Sequence, residues 1–129
     1  MKFGYTIIYV PDVEEALKFY VKAFKIPVKF LHESKQYGEL DTGSTTLAFS
    51  SEELAQANGI ELAKNNRNET PAGIEVAFVT DNVDDTYEHA TASGATAVAP
   101  PTKKPWGQTV AYVRDLNGVL VELCSPINK

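Results

Sequence analysis

"YTIIYVPDVEEA", residues 5–16, decides the fold of this chain, because the chain repeats it. Residues 75–86 read "EVAFVTDNVDDT", and a shift of 70 lays apolar strand on apolar strand and the helix start "VEEA" on "VDDT". The same shift lays "FKIPVKF" (24–30) on "GATAVAP" (94–100). The two halves also end alike: at a shift of 74, "GSTTLAFSS" (43–51) falls on "NGVLVELCS" (117–125). Self-similarity of this kind marks a supersecondary unit used more than once.

Each half reads in the same order. The first strand is "GYTIIYV" (4–10) in one and "IEVAFVT" (74–80) in the other, β-branched and aromatic runs bounded by turn residues. A helix follows. Val13, Ala16, Leu17, Tyr20, Val21 and Phe24 recur at helical spacing, with Asp12 and Glu15 forming a capping-box-like start. The second helix presents Val83, Thr86, Tyr87 and Ala90, with Asp81 or Asn82 as its cap and Gly94 past its end. Three further strands complete each half: about 27–34, 37–42 and 45–50, then about 95–99, 108–114 and 119–124. Asn117-Gly118 joins the last pair and "DTGST" does the same earlier; a short helix over 51–57 caps the first half. The pattern predicts an α+β fold of tandem βαβββ modules, about 1–57 and 73–129, within a single domain. They are joined by an Asn-rich linker of about 58–72.

Composition bounds the function. The chain has 129 residues, 43% hydrophobic and 22% charged, with net charge −5. That is a globular balance, and the acidic surplus argues against nucleic-acid binding, which needs a basic face. No apolar run reaches the roughly 20 residues of a membrane span, and "MKFGYTIIYVPD" lacks a signal-peptide pattern. The single cysteine, Cys124, forms no internal disulfide, so a cytoplasmic location is expected. Phosphate-binding, zinc-protease and acyl-transfer motifs are absent.

With "VPDVEEALKFY" (10–20) and the closing hairpin "WGQTVAYVRDLNGVLVEL" (106–123), the sequence resembles the vicinal oxygen chelate superfamily of glyoxalases, bleomycin-resistance proteins and dioxygenases. The resemblance implies that each module curls a mixed sheet, that two modules, from one chain or across a dimer, close a cup around a ligand, and that the chain is a homodimer. It also implies metal positions on the first and last strand of each module. Here these are Tyr5, Ala48, Glu75 and Glu122. The repeat gives the same set independently, pairing Tyr5 with Glu75 and Ala48 with Glu122 on equivalent faces.

Alanine binds no metal, and neither His32 nor His89 is in register, so no metal or other cofactor is expected; a divalent ion, if present, would rest on Glu75 and Glu122. Two carboxylates facing one partly dry hollow would share a proton or hold a cation. Alternatively, Glu122 pairs with Arg114 or a lysine as a structural group. Trp106 is a lid on the cup or a plug for the barrel end. Gln108 and Tyr112 alternate along "QTVAYV" toward the same face, and Tyr5 and Tyr9 share one parity on the first strand. Cys124 reads as a small buried hydrophobe, and "PPTKKPW" (100–106) as a proline-stiffened loop. The expectation is a metal-free small-molecule binder of the bleomycin-resistance type, lined by Tyr5, Tyr9, Glu75, Trp106, Gln108, Tyr112 and Glu122. The alternatives are a glyoxalase-like lyase, isomerase or epimerase using Glu122 as catalytic base, and a protein-binding role with the cup filled.

Overall fold

The computed structural model describes residues 1–127. Its elements run β1 (Tyr5–Val10), α1 (Val13–Phe24), β2 (Val28–Leu31), β3 (Tyr37–Leu40), β4 (Thr46–Ser51), α2 (Glu52–Ala57), β5 (Glu75–Val79), α3 (Val83–Ala92), β6 (Thr96–Lys103), β7 (Thr109–Arg114) and β8 (Leu120–Cys124). They divide into two compact units, Met1–Asn65 and Asn66 onward. Each unit holds one open, curved, four-stranded sheet, in the orders β1-β4-β3-β2 and β5-β8-β7-β6. Both sheets are mixed: β1 runs parallel to β4 and β5 to β8, and the other neighbours are antiparallel. This is the α+β arrangement the repeat predicts.

The duplication extends to strand register. Tyr5 lies opposite Thr46 and Ile7 opposite Ala48. Displaced by 70 and 74, these become Glu75 opposite Leu120 and Ala77 opposite Glu122. On the antiparallel side, Glu39–Ala48 corresponds to Tyr112–Glu122.

Local chemistry sets the helix starts. The side chains of Asp12, Ser51 and Asn82 accept from the backbone N–H groups of Glu15 (3.0 Å), Leu54 (2.9 Å) and Asp85 (3.1 Å). Each satisfies a donor the first helical turn leaves unpaired. In the first unit α1 buries Val13, Ala16, Leu17, Tyr20 and Ala23 against β3 and β4. Tyr20 meets Phe49 at 5.1 Å between ring centroids. In the second unit α3 covers the face carrying Ala111, Val113, Val121 and Leu123, all fully buried. No helix among the described residues is long and apolar enough to cross a membrane.

Two segments differ from the sequence reading. The strand expected over about 95–99 continues through Pro100 and Pro101 to Lys103, where a loop is expected. The prolines are accommodated because β6 is an edge strand, with register shifts between Ala97 and Ala99 and between Ala99 and Thr102. The last hairpin is not a two-residue turn with both central residues at positive φ. Only Gly118 has positive φ (85°), and the turn runs from Asp115 to Val119. The buried Asp115 carboxylate accepts from the N–H groups of Asn117 (2.8 Å) and Val119 (2.9 Å) and so closes the loop from inside.

Candidate functional site

On the face of the second sheet turned away from α3, adjacent rows of the register carry the polar groups. One row is Ala99, Tyr112, Glu122 and Ala77; the next is Thr96, Arg114, Leu120 and Glu75. Tyr112 donates its hydroxyl to Glu122 Oε1 at 3.1 Å. Glu75 is exposed as a residue, but its carboxyl end is hydrogen-bonded to Glu122. Desolvation, then that hydrogen bond, then the Glu122 charge hold the Glu75 carboxyl above the usual carboxylate range. Desolvation and Glu122 likewise raise the Tyr112 hydroxyl, keeping it a neutral donor. The structure therefore brings Glu75, Tyr112 and Glu122 together, with Glu122 as the hub.

Arg114 does not pair with Glu122. Its guanidinium donates to the carbonyls of Gly118 (2.9 Å), Asn66 (3.1 Å), Glu69 (2.6 Å) and Arg67 (3.4 Å). It thereby straps residues 66–69 of the linker to the row that also carries Glu75. Gly118 is required here. A Cβ on it would lie 2.7 Å from Arg67 Cα and 2.8 Å from Arg67 N. Cys124 is buried on the same face, and desolvation followed by Glu122 pushes its thiol up, which makes it a poor nucleophile.

Trp106 sits in a tight turn closed by Gly107 N–H donating to Lys104 O (2.9 Å), with Gly107 at φ 94°. Its indole N–H donates to Gln108 Oε1 at 2.8 Å, and Gln108 Nε2 donates to Ser125 O at 2.9 Å. Gln108 is thus buried with both ends of its amide engaged, and it fixes the orientation of a tryptophan that stays 62% exposed.

In the first unit, Tyr5 and Tyr9 share the open sheet face with two groups that sequence reasoning missed. Tyr37 donates its hydroxyl to Glu39 Oε2 at 2.7 Å. The period-2 spacing of 37 and 39 was the available signal, but neither position falls on the strands that the duplication marks as special. His32 caps its own turn, its Nδ1 accepting from Ser34 N–H at 3.0 Å, and His89 lies exposed on α3. Beside α2 an open groove of about 680 Å³ is lined by Glu52, Ile60, Glu61 and Lys64 and contains none of the predicted residues.

The donor set does not suit the metal that the resemblance implies. Among the described residues, no three His, Cys, Asp or Glu side chains converge where one ion could be held. At the two carboxylate positions the groups hydrogen-bond to each other and to Tyr112.

Two open mixed sheets of βαβββ order, each with a helix on one face and polar groups on the other, define the class. The family model of the Glyoxalase/Bleomycin resistance protein/Dioxygenase superfamily matches residues 2–123, and the chain belongs to that superfamily. Solved structures share the fold at low identity. A glyoxalase-related enzyme from Fulvimarina pelagi superposes with TM-score 0.81 at 18% identity, covering 98% of this chain and 88% of its own. TioX from Micromonospora sp. ML1 gives 0.71 at 23%, covering 97% and 98%. A family enzyme from Burkholderia phytofirmans PsJN gives 0.77 at 21%, covering 97% and 98%. A search of curated proteins finds no match.

Proposed function

We propose that the chain binds a small organic molecule on its open sheet faces and does so without a metal. The carrying observation is the Tyr112–Glu122–Glu75 cluster: a half-buried carboxylate that holds a hydroxyl and a second carboxyl on an otherwise apolar strand. Such a cluster supplies fixed acceptors and a shared proton on a sheet surface. Trp106, oriented by Gln108 at the turn between β6 and β7, adds a flat contact in the same unit, and Tyr5 and Tyr9 supply aromatic surface in the first unit. A homodimer belongs to this reading, because each sheet leaves two edge strands that a second copy can cover; equilibrium sedimentation tests it. A cytoplasmic location also belongs to it, argued from the lone buried thiol.

Trp106 is the chain's own reporter. Its fluorescence, titrated with a panel of small aromatic amines and neutral aromatics, should show saturable quenching that Glu122→Gln weakens, with the compounds recovered unchanged. Absence of saturable quenching across the panel overturns the reading.

The Glu75 carboxyl, raised by desolvation and by its neighbour Glu122, favours a second reading, in which Glu122 works as the base of a lyase, isomerase or epimerase. A carboxylate next to a proton-bearing partner can remove a proton from a carbon acid near neutral pH. Solvent deuterium appearing at carbon in a bound α-hydroxy ketone, and lost in Glu122→Gln, would replace the binding reading with this one.

A further inference from the structure

The geometry points to an anchor for an organic cation in the first unit, formed by the Tyr37–Glu39 pair with Phe30 and Tyr5 beside it. This deepens the small-molecule reading above and rests on it. It adds a chemical class and an anchor centred on β2 and β3, which that reading does not use.

Glu39 lies in β3, opposite Phe30 on β2 and Ala48 on β4. A carboxylate half-buried on a sheet face needs partners for its oxygens. Tyr37 supplies one by donating to Oε2 at 2.7 Å. Among the described residues Glu39 makes no ion pair, and Oε1 has no protein donor. Desolvation and Glu39 itself hold the Tyr37 hydroxyl well above its ordinary value, so Tyr37 remains a donor.

The surroundings are aromatic and accessible. The Phe30 ring lies 5.9 Å from Tyr37 between centroids, tilted by 52°. Phe30 is 42% exposed, and Tyr5, which acts electrostatically on Tyr37, is 59% exposed. Ala48, between Ile7 and Glu39 in the register, is fully buried, so the open side of the pair is the one toward Phe30 at the β2 edge.

These features select by charge. Aromatic faces carry a negative quadrupole and a carboxylate carries full charge, so both attract a cation and repel an anion. They also select among cations. A primary ammonium needs acceptors for three N–H groups, whereas the anchor offers one open carboxylate oxygen and ring faces. A quaternary or tertiary ammonium, with few or no N–H groups and a methyl-covered surface, fits that inventory.

The test titrates the intact chain, labelled for NMR at its aromatic rings, with choline and with 3,3-dimethylbutan-1-ol. These are isosteres that differ in the charged nitrogen. Choline should shift the Phe30 and Tyr37 ring signals saturably, and the neutral isostere should bind there at least about tenfold more weakly. Glu39→Gln should remove that preference. If Glu39→Gln does not fold, the comparison of isosteres on the native chain still decides. Equal binding of the two isosteres overturns the inference, as does the absence of saturable shifts at Phe30 and Tyr37. Shifts confined to Trp106 and Tyr112 also overturn it, and leave the small-molecule reading standing.

Discussion

Glu122 keeps its place in an apolar strand because its neighbours on the open face are polar: a hydroxyl on β7 and a carboxyl at the start of β5. The arrangement costs stability at neutral pH. Glu75 holds its proton to higher pH in the folded chain than in the unfolded one. Its contribution to stability is therefore complete below the unfolded carboxylate value and is lost as pH rises through the raised folded value. Glu75→Gln cannot ionise, so it should match the native chain near pH 4 and exceed it at pH 8. The gain should be about 0.5 kcal/mol, the scale of a solvent-screened charge pair. Urea unfolding at the two pH values measures this, and a variant less stable at pH 8 contradicts it. Tyr112→Phe removes the donor to Glu122 and should cost about 1 kcal/mol, read by the same unfolding curves. Both carboxylates were legible in the sequence, since shifts of 70 and 74 bring Glu75 and Glu122 onto equivalent strands. Tyr37 and Glu39 were not, because only the antiparallel register shows that Glu39 occupies the place of Tyr112.

At the scale of elements, the last hairpin and the linker act as one device. Gly118 permits the turn, Asp115 closes it from inside, and Arg114 carries the strap of residues 66–69. Gly118→Ala meets two penalties together: a positive φ that alanine adopts poorly, and a Cβ under 3.0 Å from Arg67 backbone. It should destabilise the chain by about 2 kcal/mol or more, in the range for strained backbone combined with steric overlap. Amide hydrogen exchange should quicken at Asn68 and Glu69, because the strap must move off the turn. Protection unchanged at those amides would mean that Arg114 does not hold the segment. Alternation and capping signals made most elements legible, Asp12 and Asn82 among them. Their limits appear where tertiary context overrides local chemistry. Pro100 and Pro101 read as loop, yet an edge strand tolerates their missing N–H groups, and the Asn-rich linker carries no periodicity that could foretell its capture by an arginine some 45 residues away.

For the whole molecule, charge supplies the remaining argument. The chain carries 17 acidic against 12 basic residues, and the sum of these charges sets the field that a ligand meets before any contact. A cation is drawn toward such a surface and an anion is pushed away, so ionic strength separates the two possible sources of affinity. If Glu39 and the acidic surplus attract the ligand, raising ionic strength from about 0.05 M to about 0.5 M shortens the screening length from roughly 14 Å to roughly 4 Å and weakens choline binding. If apolar contact with Phe30 and Tyr5 supplies the affinity, added sulfate strengthens binding, because excluded salts favour apolar burial. The expected outcome is a several-fold loss of choline affinity across that range at constant pH, with little change for 3,3-dimethylbutan-1-ol. Titration by NMR at each salt concentration measures both slopes on the native chain, and a choline affinity that rises with salt would assign the attraction to the aromatic surface alone.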